Sequence, residues 1–567
     1  MRRTTMLFGT AAALAVLVSQ AYPAGDHHVP AAVERVAKNQ AVYVCKLGKA
    51  PQLAHGSGCL VSASGLVLTN WHVVIPTLAQ GTRRVKVDWV PWWPGGAAGA
   101  VVYAAPELDL ALIKLDKAPG GQAARMGDTA RQGARIYPVG FTSRAEAPRG
   151  SRGLWQETLP GLGLTRTIDT GEIVEAVQYS FSETVKKPPH GVSQEDWTRL
   201  REQAEKMLDD AHRRPRQEGE SDTWVAYLSN AWTTGGQSGG PSFGEDGQMI
   251  ALNHAGGIWE KGNYQGSAEI PVDLIRLFLV GVQDTGQVHD GIVRKFQRLG
   301  GRDVVGLPLE PDGEALARTS GNGMLQVFRS QDGHESGIML RSGSPNAFWV
   351  TGAIWAHYAS KGGPQYIGYP IADEEEAEGG RRQRFERGTL YWSRAAGQVS
   401  KLNASGEPVR LRSKNGDVTA LVAGGVTDFT LTFEVNVAER EGSAFFRLSS
   451  DSAEVYGRPT HGLSGYGVIF CPFSDQGANP GLYLVKRVNG VEQTLASTQT
   501  GFPRTDGKSR LTISARGGEL AVYEEGSRVL RAEDTSYGTG DIVFRIYGDP
   551  ELPADAQFRA TEFQRLR

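Results

Sequence analysis

Within the 567-residue chain, the stretch TTGGQSGGPSF (233–243) places a serine in a run of glycines. A hydroxyl is a poor nucleophile near neutral pH, so Ser238 can attack a carbonyl only if an imidazole takes its proton. A carboxylate must then hold that imidazole in one tautomer and stabilise the imidazolium. Backbone N–H groups must face the oxyanion that forms, and one such donor is typically worth about 3–4 kcal/mol. Each residue type is available. His72 follows an apolar run in GSGCLVSASGLVLTNWHVV (56–74), and Asp109 opens another in PELDLALIKL (106–115). Gly235 and Gly236 precede the serine segment, and glycine lets the backbone turn its N–H groups inward.

These residues need strands to position them. From about 30 to 283 the chain alternates short β-like runs with glycine turns and closes on an apolar helical segment, PVDLIRLFLVGV. One insertion interrupts the pattern. Ser193-Gln194-Glu195-Asp196 resembles a capping box, and a charged helical pattern runs on to about Arg214, before Pro215. Its apolar positions are sparse (Trp197, Leu200, Met207, Leu208), which predicts a solvated surface helix.

Taken together, the T-N-x-H segment, the D-L-A-L-x-K strand and G-x-S-G-G-P resemble the trypsin-like (chymotrypsin-fold) serine proteases, especially the bacterial secreted and periplasmic ones. The resemblance covers roughly 35–283, including YPVGF (137–141). It implies two six-stranded β-barrels with a triad in the cleft. His72 would be general base and then general acid, Asp109 would orient it, and Ser238 would attack. The oxyanion hole would be the amides of Gly236 and Ser238. Digestive members carry an aspartate before the serine that pairs with a newly cut N-terminal amine. Gln237 cannot form that ion pair, which implies an oxyanion hole formed without an activation cut. Glutamyl endopeptidases bind the P1 carboxylate with a threonine or serine and a histidine. Thr233 matches the first of these. Asn253 falls where the histidine is expected, and His254 lies one residue on, where a strand turns its side chain to the other face. Thr233, Asn253 and His254 are therefore the pocket candidates, and acidic P1 preference stays open. A catalytically inactive, protease-like adhesion or glycan-binding protein is the alternative reading.

The remaining sequence sets the context. Arg2 and Arg3, the apolar run 7–18 and Ser19-Gln20-Ala21 predict a signal peptide over 1–21, hence a secreted, periplasmic or cell-envelope location. No later segment looks transmembrane, so no membrane span is expected in the mature chain. The net charge of -2 gives no electrostatic case for nucleic acid. Of three cysteines, Cys45 and Cys59 fall in neighbouring β-like runs and are disulfide candidates in an oxidising compartment. No CxxC or His-rich spacing points to a metal, and no cofactor is implied.

Beyond the protease-like region (30–283), LGG…GLP and KGG…GYP recur 62 residues apart, each followed by Gln-x-Phe. With QRFERGTLYW they resemble LGFP repeats over 289–402, which are associated with the bacterial envelope. Residues 408–567 read as strands with turn signals, including Asn489-Gly490, and resemble a concanavalin-type, LamG-like sandwich. The expected fold class is thus mainly β: a chymotrypsin-like double β-barrel domain, a small α+β repeat domain and a C-terminal β-sandwich. The expected partners are a protein or peptide substrate and a cell-wall polysaccharide or other glycan.

Overall fold

The computed structural model describes residues 28–566 apart from 47–54, 90–92, 121, 144–154, 160–163, 190–191, 217–219, 256–258, 261–262, 265, 310–314, 378–379, 395–397, 403–407, 415, 449–463, 473–478, 499–505 and 549. The expected signal peptide lies outside the described residues. The chain divides into two compact units, 1–319 with 324–333, and 320–323 with 334–567.

In the first unit, helix α1 (Ala31–Gln40) leads into six strands: β1 (Ala41–Lys46), β2 (His55–Ser62), β3 (Leu66–Thr69), β4 (Arg84–Trp89), β5 (Trp93–Ala105) and β6 (Leu110–Leu115). They close into a barrel in the order β1-β2-β3-β6-β5-β4. Val42, Leu60, Val67, Val101 and Ile113 fill it. Strand β3 is buried at every position, as its unbroken apolar run requires. Helix α2 (Trp71–Leu78) follows one residue after β3 ends, so His72 sits in its first turn.

A second ring follows. It comprises β7 (Arg135–Ser143), β8 (Trp155–Leu159), β9 (Leu164–Ile168), β10 (Gly171–Tyr179), β11 (Trp224–Ser229), β12 (Pro241–Phe243) and β13 (Met249–Ala255). A short hairpin, β14 (Trp259–Glu260) and β15 (Asn263–Tyr264), precedes β16 (Ser267–Pro271). The order is β10-β11-β16-β13-β12-β7-β9-β8, and β10 also pairs with β7. That pairing returns six strands on themselves, with β9 and β8 appended. The two rings are the expected double-barrel architecture.

Two expectations need correction. The β1–β2 hairpin forms, but its register sets Cys45 opposite His55 and Cys59 opposite Ala41. The two cysteines are therefore four rungs apart along the ladder, too far for a disulfide, whose Cα atoms sit within about 7 Å. Cys59 is a free, buried thiol. The insertion helix (Gln194–Lys206) is capped as expected, with the Ser193 hydroxyl accepting from the Asp196 amide at 3.0 Å. It is not a solvated surface helix, however. Trp197 is buried in one cluster with Trp71, Val74, Ile75 and Leu78 of α2, and its indole N–H donates to the Val185 carbonyl at 2.7 Å.

The internal repeat is structural. In the first unit, Phe296, on a helix at Asp290–Arg298, stacks on Phe328 at 5.4 Å. The buried Gln326 accepts from the Gly281 amide at 2.8 Å and donates to the Ala315 carbonyl at 3.0 Å. In the second unit, Tyr358, on a helix at Gly352–Ser360, stacks on Phe385 at 5.0 Å. Gln383 there donates to the carbonyls of Trp349 (2.9 Å) and Ala372 (3.0 Å). In each copy, the Gln of Gln-x-Phe satisfies buried backbone groups, and the Phe receives the helix aromatic.

The C-terminal region forms two six-stranded antiparallel sheets. Phe429, Phe433, Phe446, Phe544 and Phe558 belong to their common core, with Phe544 stacked on Phe558 at 4.7 Å. Asn489 (φ 49°) and Gly490 (φ 85°) make the expected tight turn between Val488 and Val491.

Candidate active site

The structure joins His72 to Asp109 and sets the Ser238 hydroxyl on the backbone of His254, whose ring meets the same Asp109 carboxylate; among the described residues no hydrogen bond links Ser238 Oγ to His72. Asp109 lies in the turn between β5 and β6 with φ 53°, a left-handed conformation that costs a non-glycine residue about 1 kcal/mol or more. Its own carbonyl is fixed by the Asn70 side-chain amide at 3.0 Å and the Trp71 N–H at 3.1 Å. The strained turn is thus pinned to the segment that carries His72. Oδ1 accepts the His72 backbone N–H at 2.9 Å, and Oδ2 meets His72 Nδ1 at 2.7 Å. Asp109 is fully buried, while the His72 side chain is 24% exposed.

A third donor completes the carboxylate. His254 Nδ1, from β13, also lies 2.7 Å from Asp109 Oδ2. Burial alone would push the Asp109 carboxyl up. The charge of His72 and the hydrogen bonds from His254 and His72 outweigh it and hold the pKa at about 2. His72 Nδ1, Asp109 Oδ2 and His254 Nδ1 lie within 4.8 Å of one another, a spacing that could also hold a cation; the two hydrogen bonds to Oδ2 account for it.

The nucleophile loop is tied to the first barrel by Ser57, the serine of GSG. Its Oγ donates to the Gly236 carbonyl at 2.8 Å and accepts from the Phe141 amide at 2.9 Å. Its own N–H donates to the Ser238 carbonyl at 2.8 Å. The close approach explains the glycines after the serine. A Cβ on Gly239 (φ 83°) would lie 2.3 Å from the Ser57 carbonyl oxygen, and one on Gly240 would lie 2.0 Å from that of Val139. Gly236 adopts φ 92°. With the Gln237 amide bonded to the Thr234 carbonyl at 3.2 Å, the amides of Gly236 and Ser238 are left without an intramolecular acceptor among the described residues. The Ser238 hydroxyl donates to the His254 carbonyl at 3.1 Å.

Gln237 is buried and held at both ends. Its Nε2 donates to Thr167 Oγ1 at 2.5 Å, and its Oε1 accepts from the Thr234 amide. Neutral groups of β9 and of the loop itself thus satisfy the side chain.

The pocket candidates separate. Thr233 is buried in the loop before the glycines. Asn253 and His254 are both buried and spend their side chains on partners within the protein. Asn253 points into the second barrel, accepting from Ser242 Oγ at 2.7 Å and donating toward the Val139 carbonyl at 3.3 Å. His254 reaches Asp109 from the point where the β13–β16 register shifts between Asn253 and Ala255. Ser242 Oγ, its one proton given to Asn253, also lies 2.9 Å from Oε2 of the fully buried Glu269, and Ser267 donates to Glu269 Oε1 at 2.8 Å. Burial pushes Glu269 up to about 7 against those two hydroxyls. Sequence reasoning missed two roles: His254 as a partner of Asp109, and Ser57 as the clip on the nucleophile loop.

Comparison with known proteins is consistent with this geometry. Residues 56–252 match the family described as Trypsin-like peptidase domain, and residues 367–401 match the LGFP repeat. None of the curated proteins matches. Among solved structures, an inactive form of Rv3671c from M. tuberculosis H37Rv is 18% identical, covering 46% of this chain and 93% of that one, with a TM-score of 0.30. The MamO protease domain from Magnetospirillum magneticum is 17% identical, covering 43% and 96%, with a TM-score of 0.27. The carbohydrate-binding module CBM66 from Bacillus subtilis is 18% identical, covering 31% and 91%, with a TM-score of 0.22. The peptidase-domain match spans His72, Asp109 and Ser238 and supports a serine-type protease.

Proposed function

We propose that the chain is an exported serine endopeptidase that hydrolyses peptide bonds through an acyl-enzyme on Ser238. The observation that carries this reading is the two-point hold of Asp109 on His72, through the backbone amide and through Nδ1. With Nδ1 committed to the carboxylate, Nε2 is the nitrogen left to take the Ser238 proton. Attack then places negative charge on the substrate oxygen, to be met by the Gly236 and Ser238 amides. His72 returns the proton to the leaving amine, and water repeats the sequence on the ester. Arg2, Arg3 and the apolar run after them support export. The LGFP match supports envelope attachment, and the C-terminal sheets serve as a glycan-binding, LamG-like module. Gln237 is satisfied by Thr167 and Thr234, so activity needs no newly cut N-terminus. With Asn253 and His254 turned elsewhere, only Thr233 remains to support acidic P1 preference; a peptide-library cleavage profile decides the P1 residue.

A fluorophosphonate probe tests the class. Wild type is labelled and Ser238→Ala is not. Folded wild type that resists the probe selects the second reading, a protease-like adhesion or glycan-binding protein without turnover. The bond from the Ser238 hydroxyl to the His254 carbonyl is the observation that favours that alternative.

A further inference from the structure

Asp109 Oδ2 is shared by two imidazoles placed very differently. His72 borders the cleft, whereas the His254 side chain is 1% exposed. Around His254, the Phe181 ring stands perpendicular at 5.0 Å, Tyr179 at 5.6 Å and 82°, and His72 itself at 6.0 Å and 77°. Tyr179 ends β10, and Phe181 opens the short helix Phe181–Val185. The end of β10 and the helix after it therefore supply two of the walls. His254 Nε2 is buried in this box with no hydrogen-bond partner among the described residues. A protonated Nε2 would leave a buried, charged N–H without an acceptor, which burial penalises. Neutral imidazole with its proton on Nδ1 satisfies every atom that has a partner to satisfy.

We propose that His254 is a positioning residue: a neutral, Nδ1-protonated imidazole that donates permanently to Asp109 Oδ2 and so fixes the carboxylate against His72. Three N–H groups then fill Asp109, two on Oδ2 and one on Oδ1, and the carboxylate cannot rotate away from His72. The shared Oδ2 also meets His72 with less available charge than an unshared one would. The ionisable groups facing the cluster are His72 from α2, Asp109 from its turn and Tyr179 from β10, whose hydroxyl is held by Thr184 at 2.8 Å. Phe181 is neutral. Tyr179 is pushed above the ordinary phenol range, chiefly by burial, and stays uncharged.

This inference rests on the serine-protease reading, and the test separates the two. The rate of fluorophosphonate labelling and kcat/KM on a peptide are measured against pH for wild type, His254→Phe and His254→Asn. Phe fills the box without a donor, while the Asn amide nitrogen can occupy the place of Nδ1. For His254→Phe we expect kcat to fall about 10- to 100-fold with KM nearly unchanged, the range seen when an outer partner of a functional histidine is removed. Its acid limb should move up by about half to one pH unit, because an unshared carboxylate stabilises the His72 cation more strongly. His254→Asn should recover most of both effects. The inference is overturned if folded His254→Phe keeps the wild-type kcat and acid limb, if only KM changes, or if Asn rescues nothing while melting like wild type. Unlabelled wild type overturns the serine-protease reading instead.

Discussion

Asp109 and Glu269 are both fully buried carboxyl groups in the protease-like unit, yet their surroundings push their pKa values in opposite directions. Asp109 meets three N–H groups, two of them on imidazole rings, and is held at about 2. Glu269 meets two hydroxyls and is pushed up to about 7. Asp169, just after β9, accepts the Thr170 amide at 2.8 Å and is pushed to about 7 as well, burial outweighing the amides of Thr170 and Trp232. Depth does not distinguish these sites; the number and polarity of donors do. The second barrel can bury neutral carboxyls, but the cleft has to assemble donors from both barrels to keep a charge where a histidine needs it.

The most severe test of that contrast is to neutralise each carboxyl in place. Asp109→Asn should lose about 10⁴ in kcat, since an amide can present the wrong partner to Nδ1 and leave the wrong tautomer. Glu269→Gln and Asp169→Asn should stay within a few-fold of wild type. Peptide hydrolysis by the three purified variants is the measurement, and a comparable loss at Glu269 would show that the charge there also serves the cleft.

Stability against pH separates the same groups with opposite sign. A carboxyl raised in the fold stabilises it fully below the unfolded pKa, near 4, and that contribution is lost as pH rises toward about 7. Asp109 behaves inversely, its contribution present above about 4 and lost as pH falls toward 2. Glu269→Gln and Asp169→Asn should therefore each reduce the stability lost between pH 5 and pH 8, by on the order of 1–4 kcal/mol. Urea unfolding at both pH values reads the difference, and wild-type slopes in the variants would contradict the assignment.

The charged end of this comparison was half legible in the sequence. TNWH, DLAL and GQSGGP could be read because local backbone geometry demands them: a glycine pair pressed against Ser57 and Val139, and a histidine in the turn after a buried strand. His254 could not be read, because its partner lies 145 residues away and only the packing of one barrel on the other brings them together. The LNHA run did single out Asn253 and His254, but not what each of them holds. Trp197 was misjudged for a related reason. Its helix is mostly charged, and the few apolar positions that anchor it, Trp197, Ala204 and Leu208 with Leu200 and Met207 packed beside them, are too sparse to reveal burial by themselves. The Cys45–Cys59 pairing failed on register, which a hairpin of unknown loop geometry leaves open.

Gln237 tests the neutral end. Buried and bonded at both ends, it holds the loop without carrying charge. Gln237→Ala should cost about 1–3 kcal/mol, leaving the Thr167 hydroxyl and the Thr234 amide with a lost partner. It should lower kcat about tenfold as the Gly236 amide loses its fixed aim. Chemical denaturation and kcat together check this, and a large stability loss with unchanged kcat would detach Gln237 from the oxyanion amides.

Cys59 is the limiting case, and the smallest effect is expected there. It is buried on β2, and burial alone pushes its thiol above the ordinary range; no donor stabilises the thiolate. Among the described residues its one side-chain hydrogen bond is a weak one that it donates to the Leu60 carbonyl at 3.8 Å. A thiol so held is neither a nucleophile nor a redox partner, because the thiolate is the reactive form. Reductant and an alkylating reagent should therefore leave the melting temperature of the native protein unchanged within about 1–2 °C, well under the shift expected from breaking a native disulfide. Mass spectrometry after alkylation should find Cys59 unmodified until the chain unfolds. A melting temperature that fell on reduction would show that the β1–β2 register assigned here is not the one in solution, and the Ser57 clip, carried on the same strand, would have to be re-examined with it.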